Sequence, residues 1–401
     1  MNILQISSQV PVPETDGGKI SIFGITKSLY RLGYNIDFVC YLKDADYSAS
    51  MELMNKYCTP HLLNVKTDNS VWGALKNLFS DVPYNASKYR KKELLDYISK
   101  LLEQKKYDII QIEHLHMGWI VDFIKLKLPK TPVILREQNL ELKIMQRFYE
   151  KEKNIFIKFF SYIQYKKFIK FEPETCAKFD CCIMISDEDK KELLSLNPKI
   201  NAVAIPAGVD TSLLNYPLKQ NFGKKIVHIG NLNWFPNYDG LKWFLNEVFP
   251  SILNSLPDLE LYIYGGGNFD KTEIPSAIKN NVVFVGFVEN LWQNLSDKAL
   301  AIVPLRIGGG IRIKIIELLA YGINILTTSI GKEGIAVENG KHILIADSKD
   351  EFIKQTVDFF DNRVNNIELI KNGRKFISEN YTWDAIIKKF DIIYRNLLKV
   401  R

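Results

Sequence analysis

The chain has 401 residues, 46% of them hydrophobic and 25% charged, a balance that suits two or three packed globular domains. It contains no run of about eighteen uncharged apolar residues, which sets aside a membrane-spanning helix. The opening Met1-Asn2-Ile3-Leu4-Gln5-Ile6-Ser7-Ser8 reads as a strand without the basic flank of a signal peptide, so a cytoplasmic protein is expected. An excess of 53 Lys and Arg over 46 Asp and Glu leaves +7, which fits an anionic substrate, a membrane surface or nucleic acid equally well.

Along the chain, short β-branched and aliphatic runs alternate with longer helical stretches, the pattern of parallel sheets covered by helices. The first series of predicted strands is Asn2–Ser7, Ile36–Tyr41, Ile109–Glu113, Val133–Arg136 and Cys182–Ile185. Ile205-Pro206-Ala207-Gly208-Val209-Asp210 and the polar stretch to about Gly223 then break the periodicity and mark a domain boundary. A second series follows with Lys225–Ile229, Glu260–Tyr264, Val282–Val285, Ala301–Pro304 and Asn324–Thr327. The last helix starts after Tyr381-Thr382-Trp383-Asp384, and Ile386, Ile387, Phe390, Ile393 and Leu397 form its buried stripe.

Five cysteines, Cys40, Cys58, Cys176, Cys181 and Cys182, are an odd and scattered set with one adjacent pair that cannot bridge without strain. They are expected to be reduced thiols. The five histidines form no Cys/His set at zinc spacing. His114-x-His116 is too small a pair to make a metal site expected, and none is assigned.

Ligands of open parallel sheets bind beyond the carboxyl ends of the strands, so the loops after the strands are where chemistry is sought. After the first strand, the loop Pro11 to Lys19 ends in Gly17-Gly18, which opens a helix. Its backbone N–H groups can meet an anion or a sugar, or the pair can be a plain tight turn. Glu113-His114-Leu115-His116 and Arg136-Glu137-Gln138-Asn139 follow two further strands. A carboxylate and an imidazole there can serve acid/base work or bind hydroxyls, or be hydrogen-bonded structure.

The richest segment is Pro304-Leu305-Arg306-Ile307-Gly308-Gly309-Gly310-Ile311-Arg312-Ile313-Lys314-Ile315-Ile316-Glu317. Three glycines directly after a strand free the backbone, and the helix that follows presents N–H groups and a positive dipole end to a diphosphate. Arg312 and Lys314 add charge, and Glu317 can accept hydrogen bonds from a ribose diol. The alternative is a glycine turn before an amphipathic core helix. Residues 143–170 hold eight Lys or Arg against two Glu, interleaved with aromatic residues. They read as one basic aromatic helix, which either lies on an anionic bilayer or packs its stripe inward.

Taken in order, several motifs resemble the bacterial retaining glycosyltransferases of family four. They are Asp16-Gly17-Gly18, Glu113-His114-Leu115, Glu137-x-Asn139, Ile185-Ser186-x-x-Asp189, Ile205-Pro206-x-Gly208-Val209-Asp210 and Gly230-x-Leu232-x-Trp234-x-Pro236-Asn237-x-Asp239. Val285-Gly286-Phe287-Val288, the glycine-rich segment and Gly331-x-Glu333-Gly334 complete the series, which spans nearly the whole chain. The resemblance implies an α/β protein of the GT-B fold, with two Rossmann-like domains whose parallel sheets face each other across a cleft. An acceptor-binding domain would cover 1–211 and a nucleotide-sugar-binding domain 212–380. A final helix in 381–401 would cross back to the first domain.

The same resemblance implies transfer of a sugar from a nucleoside-diphosphate sugar to a hydroxyl with retention. The acceptor would be a saccharide or lipid-linked saccharide, in bacterial surface polysaccharide or glycolipid synthesis. It implies no cofactor beyond the sugar nucleotide, no metal and no nucleic acid; a lipid-linked acceptor would suit the bilayer reading of 143–170, with contact at the inner face of the membrane. Arg312, Lys314, Glu317 and His114 are the expected catalytic set. Substrate contacts are expected at Gly17, Gly18, Glu137, Asn139, Gly230, Asn231, Asn233, Gly265, Val288, Gly309, Gly310, Ile311 and Glu333.

Three positions depart from the family pattern. Relatives often carry two glutamates eight apart, the second matching Glu317, and the first falls here on Gly309. Asn231 and Asn237 stand where many relatives hold the diphosphate with Arg and Lys, and Arg312 and Lys314 are the expected replacements. Gln138 stands where the family commonly has histidine. A nucleotide-sugar epimerase of the same fold and a non-catalytic carbohydrate or membrane-surface binding protein are the rival readings.

Overall fold

The computed structural model describes residues 1–42, 47–218, 223–308, 310–361 and 365–399. The chain divides into two compact units, Met1–Ala207 with Trp383–Arg401, and Gly208–Thr382.

In the first unit, seven parallel strands make one sheet: β1 (Asn2–Ser7), β2 (Asn35–Tyr41), β3 (Thr59–Leu63), β4 (Ile109–Glu113), β5 (Val133–Arg136), β6 (Cys181–Met184) and β7 (Ala202–Ala204). Their spatial order is β3-β2-β1-β4-β5-β6-β7. Ile3 lies opposite both Ile36 and Ile109, so the strand order reverses at β1 and β4.

Alternation along these strands sends Leu4, Ile6, Val39, Ile110, Ile112, Val133 and Leu135 into one apolar cluster. The opposite face carries buried Gln5, Gln111, Glu113 and Arg136 under the helices Gly17–Arg31 and Trp383–Lys399. These polar groups satisfy one another. Gln5 Nε2 and Gln111 Nε2 donate to Glu113 Oε1 at 2.8 and 2.6 Å, and Arg136 Nη1 donates to Glu113 Oε2 at 3.1 Å. Ser21, Thr26 and Tyr394 from the two helices complete the network.

The last helix buries Trp383, Ile386, Ile387, Phe390 and Tyr394. It can approach so closely because Gly24 has no side chain: a Cβ there would lie 2.1 Å from Trp383 Cζ2.

The second unit holds β8 (Lys225–Ile229), β9 (Glu260–Tyr264), β10 (Val282–Gly286), β11 (Leu300–Val303), β12 (Asn324–Thr327) and β13 (Leu344–Ile345). They form a parallel sheet in the order β10-β9-β8-β11-β12-β13, which reverses between β8 and β11. The reversal opens a crevice at the carboxyl ends of these two strands, where open α/β sheets take their ligands. Apolar clusters fill the unit, one of them containing Ile226, Leu261, Ile263, Leu300 and Leu326. A second contains Val227, Ala301, Val303, Ile315 and Ile325.

The ten predicted strands are all present, with ends shifted by at most one residue. Strands β3, β7 and β13 were not expected, and each lies at a sheet edge. Pro60 interrupts the apolar pattern of β3, which an edge strand tolerates, and β7 and β13 are too short to show a period. The expected single helix over 143–170 is corrected to two, Glu141–Lys151 and Ile155–Cys176. The break comes where Asn154 Oδ1 accepts from Phe156 N and Ile157 N, capping a new helix in place of continuing the old one. The two helices pack together, with the Tyr149 ring 5.2 Å from that of Tyr162.

Candidate functional site

In the second unit, the crevice begins at the carboxyl end of β8. Gly230 and Gly265 end β8 and β9 in direct contact. Gly265 has φ +129, and a Cβ on it would lie 2.0 Å from Gly230 O, so a side chain is excluded both by conformation and by space. The loop is held by its own amides: Asn231 Oδ1 accepts from Asn233 N at 2.9 Å, and Asn237 Nδ2 donates to Asn231 O at 2.9 Å. Asn231 and Asn233 are exposed, whereas Asn237 is buried.

The loop after β11 meets this turn through its cations. Lys314 Nζ donates to Ile229 O and to Asn237 Oδ1, both at 2.8 Å. These partners are neutral, and burial followed by the proximity of Arg312 draws the lysine from 10.5 down to about 7. Arg312 is buried, donates from Nη1 to Gly310 O at 2.6 Å, and lies 5.7 Å from the Trp234 ring. Gly308, at φ +130, makes room for it, since a Cβ there would lie 2.5 Å from Arg312 Nη2. Arg312 is the residue preceding the helix Ile313–Tyr321; Ile315 N donates back to Arg312 O at 2.9 Å, and the N–H groups of Ile313 and Lys314 stand at the positive end of the helix. Two cations and a helix start therefore converge on the end of β8, an arrangement suited to a diphosphate.

The remaining expected contacts of this unit fall around the same strand ends. Glu317 is half-buried one turn into the helix Ile313–Tyr321. Val288, after β10, and Ile311 pack on one apolar cluster with Tyr264. Gly310 is buried with φ +74. Glu333 is half-buried in the loop after β12, where Gly331 N donates to Thr328 Oγ1 at 2.8 Å. Gly309 lies outside the described residues.

In the first unit, Gly17 and Gly18 open the helix Gly17–Arg31, and Asp16 Oδ1 caps it by accepting from Lys19 N at 3.0 Å. His114 follows β4 with φ +69, a left-handed conformation that costs a non-glycine residue strain. Its Nδ1 is buried and, among the described residues, without a hydrogen-bond partner. Burial and then His116 push its pKa down to about 4, so the ring is neutral at pH 7. His116 is likewise held at about 4, by burial and Lys88. Its Nε2, 3.7 Å from Glu141 Oε2, is therefore not half of an ion pair near neutrality.

Glu137 turns inward. Its Oε2 accepts from Leu115 N at 3.2 Å, its Oε1 from the Cys176 thiol at 3.7 Å, and burial raises its pKa. Asn139 is half-buried beside it. Gln138 Nε2 reaches Glu113 Oε2 at 3.5 Å, so the residue at the family's histidine position joins the buried polar network.

Residues 223–362 match the family model described as Glycosyl transferases group 1. A protein of Klebsiella pneumoniae described as an uncharacterised 44.6 kDa protein in the cps region is 25% identical over 395 residues, covering 94% of this chain and 96% of its own. The fold is shared with sucrose-phosphate synthase from Thermosynechococcus elongatus, at TM-score 0.74 and 14% identity over 100% of both chains. It is shared also with Anabaena HepE in complex with UDP, at TM-score 0.67 and 12% identity over 99% of this chain and 100% of that one. Residues 223–362 are a glycosyl transferase group 1 domain, which makes this chain a glycosyltransferase. Its architecture is GT-B.

Sequence reasoning missed two titratable groups of the transferase. His228, in the middle of β8, is fully buried and held neutral, pushed to about 3 by burial and then by Lys314. The signal was a lone histidine inside an apolar strand. Glu141, at the start of the helix Glu141–Lys151, is raised to about 7 by burial and stands beside His116. A single glutamate at a helix start has no sequence signature that separates it from an ordinary first-turn acid. Among the described residues, no group of three or more His, Cys, Asp or Glu is placed to hold a metal ion, and no helix is long and apolar enough to cross a membrane.

Proposed function

We propose that this transferase is a retaining enzyme of family four, taking its sugar from a nucleoside-diphosphate sugar bound by the second unit and passing it to an acceptor hydroxyl held by the first. The observation that carries this reading is the meeting of Lys314 with Ile229 O and Asn237 Oδ1, beside Arg312. An ammonium whose acceptors among the described residues are neutral, at the crevice end of β8, is in need of an anion. Its position at Asn237 also accounts for the loss of a cation from that site: the charge comes from the facing helix instead.

In the reaction, the bond between the anomeric carbon and the phosphate oxygen breaks as the acceptor oxygen bonds to the same face of the sugar. The acceptor proton passes to the departing phosphate oxygen. Arg312, Lys314 and the start of the helix Ile313–Tyr321 stabilise the charge that develops on the diphosphate, so neither metal nor cofactor is invoked. Glu317 accepts from the ribose, and His114 positions the acceptor. The acceptor is a saccharide or lipid-linked saccharide of bacterial surface polysaccharide or glycolipid synthesis, met at the cytoplasmic face of the membrane. The relative from a cps region supports that role.

The test is the double change Arg312→Ala and Lys314→Ala, assayed with a panel of nucleoside-diphosphate sugars first ranked by thermal shift. Turnover should fall by orders of magnitude while the circular dichroism spectrum is kept. Normal turnover would sink the assignment.

A further inference from the structure

Two helices of the first unit present apolar faces to solvent. On Val71–Asn77, Trp72 is 75% exposed, and Phe79, just past its end, is 96% exposed. Leu75 lies between them on the same side at helical spacing. On Ile155–Cys176, Phe156 is 82% and Phe159 63% exposed, while Ser161, Gln164 and Phe168 bury the opposite side. In its first half this helix packs polar Ser161 and Gln164 inward and carries Phe156 and Phe159 outward, the inverse of the pattern of a helix in water.

The two helices are joined. Asn77 Oδ1 accepts from Gln164 Nε2 at 3.1 Å and from Lys167 Nζ at 3.2 Å, and Tyr84 N donates to Gln164 Oε1 at 2.8 Å. Polar side chains thus fasten the inner edges, and the aromatic residues are left outside. Lysines are set among them: besides Lys167, turned inward onto Asn77, residues 153–170 contain four Lys and no carboxylate, and residues 71–80 contain one Lys and no carboxylate. Lys166 is exposed, with its ammonium 5.5 Å from the Tyr162 ring centroid.

We infer that this paired face, the helix Val71–Asn77 with Phe79 and the first half of Ile155–Cys176, is the surface by which the transferase docks on an anionic lipid bilayer. Aromatic side chains enter the headgroup boundary while lysines meet the lipid phosphates. The charge selects lipid over a second copy of the chain, because a two-fold pairing of this face would set its lysines against one another with no carboxylate between them. The inference rests on the membrane-facing part of the reading above and changes its location: the segment 71–79 is added, and of 143–170 only the first half of the second helix takes part.

Sedimentation of the full-length protein with vesicles tests this without sugar donor or acceptor. The protein should bind phosphatidylcholine vesicles containing about 30% phosphatidylglycerol at least tenfold more tightly than pure phosphatidylcholine, and release in ~0.5 M salt. The double change Phe79→Glu and Phe156→Glu should lower binding tenfold or more, with unchanged melting temperature and unchanged thermal shift by the sugar nucleotide. Wild-type protein that stays in the supernatant, equal binding to neutral vesicles, or equal binding by the variant overturns the inference. A wild-type dimer that the double change renders monomeric overturns it in favour of a second copy. Since sugar-nucleotide binding is read separately, loss of that property would count against the function and not against the surface.

Discussion

Replacing Lys314 by Met should stabilise the ligand-free transferase while weakening its hold on the sugar nucleotide, and both effects should follow pH. The side chain is half-buried, donates among the described residues to Ile229 O and Asn237 Oδ1, and has its pKa drawn down to about 7 by burial and by Arg312. At ~1.4 kcal/mol for each tenfold in proton affinity, the ammonium loses at most roughly 5 kcal/mol by sitting there. Solvent at a half-buried group brings this down, and ~1–2 kcal/mol is the working figure.

Between about pH 7 and 10.5 the unfolded chain holds a proton on Lys314 that the folded protein does not. Stability of the wild type therefore rises with pH across that window, and the advantage of Met, full below pH 7, fades toward pH 10. Near neutrality Lys314→Met should raise the melting temperature by about 2–4 °C for each kcal/mol.

Binding runs the other way. A diphosphate needs the charged lysine, and a bound anion raises its pKa, so affinity of the wild type should drop about tenfold between pH 6 and pH 8. A sugar-linked diphosphate loses no proton in this range, and His228, at about 3, titrates outside it. Titration calorimetry of both proteins at several pH values is the assay. A flat wild-type profile, or the same slope in Lys314→Met, refutes the reasoning.

Three further outcomes are expected. Gly24→Ala gains about 1 kcal/mol of helix propensity, yet its Cβ would lie 2.1 Å from Trp383 Cζ2, and overpacking a buried indole costs ~1–3 kcal/mol; the melting temperature should fall, and a rise would show that the last helix is not held by this contact. Glu113→Ala leaves Arg136, 1% exposed, without its carboxylate and should cost ~3–5 kcal/mol in urea unfolding, with part recovered by adding Arg136→Met; no recovery would mean that the pair is not what the loss measures. His114→Ala should raise the acceptor KM with sugar-nucleotide affinity unchanged, while His114→Gly, which relieves the φ of +69, should add about 1 kcal/mol of stability; unchanged acceptor kinetics in both variants would remove His114 from the site.

What the sequence by itself determined is the architecture and the strand ends at which its candidate site residues lie. Ten largely apolar runs of four to six residues were enough to place ten strands, because strands buried in parallel sheets are rich in aliphatic residues. The glycine-rich turn and the cations after β11 were legible for a similar reason: only a few residue types free a backbone or carry positive charge. Tertiary structure alone decided what each polar group does. Glu113 and Gln138 lie in motifs that read as chemistry, yet register pairing of β1, β4 and β5 brings them to Gln5, Gln111 and Arg136 in a buried network.

Glu137 is adjacent to Gln138 in sequence and points the other way, into Leu115 and Cys176. Lys314 and Asn237 are 77 positions apart, and no local pattern joins them; folding two loops onto neighbouring strand ends does. The 143–170 segment makes the same point for surfaces. Its composition announced an amphipathic helix, but Asn154 splits it, and the packing of Gln164 on Asn77 settles which aromatic residues face water. Periodicity is a property of the chain, whereas the partner of a side chain is a property of three-dimensional packing.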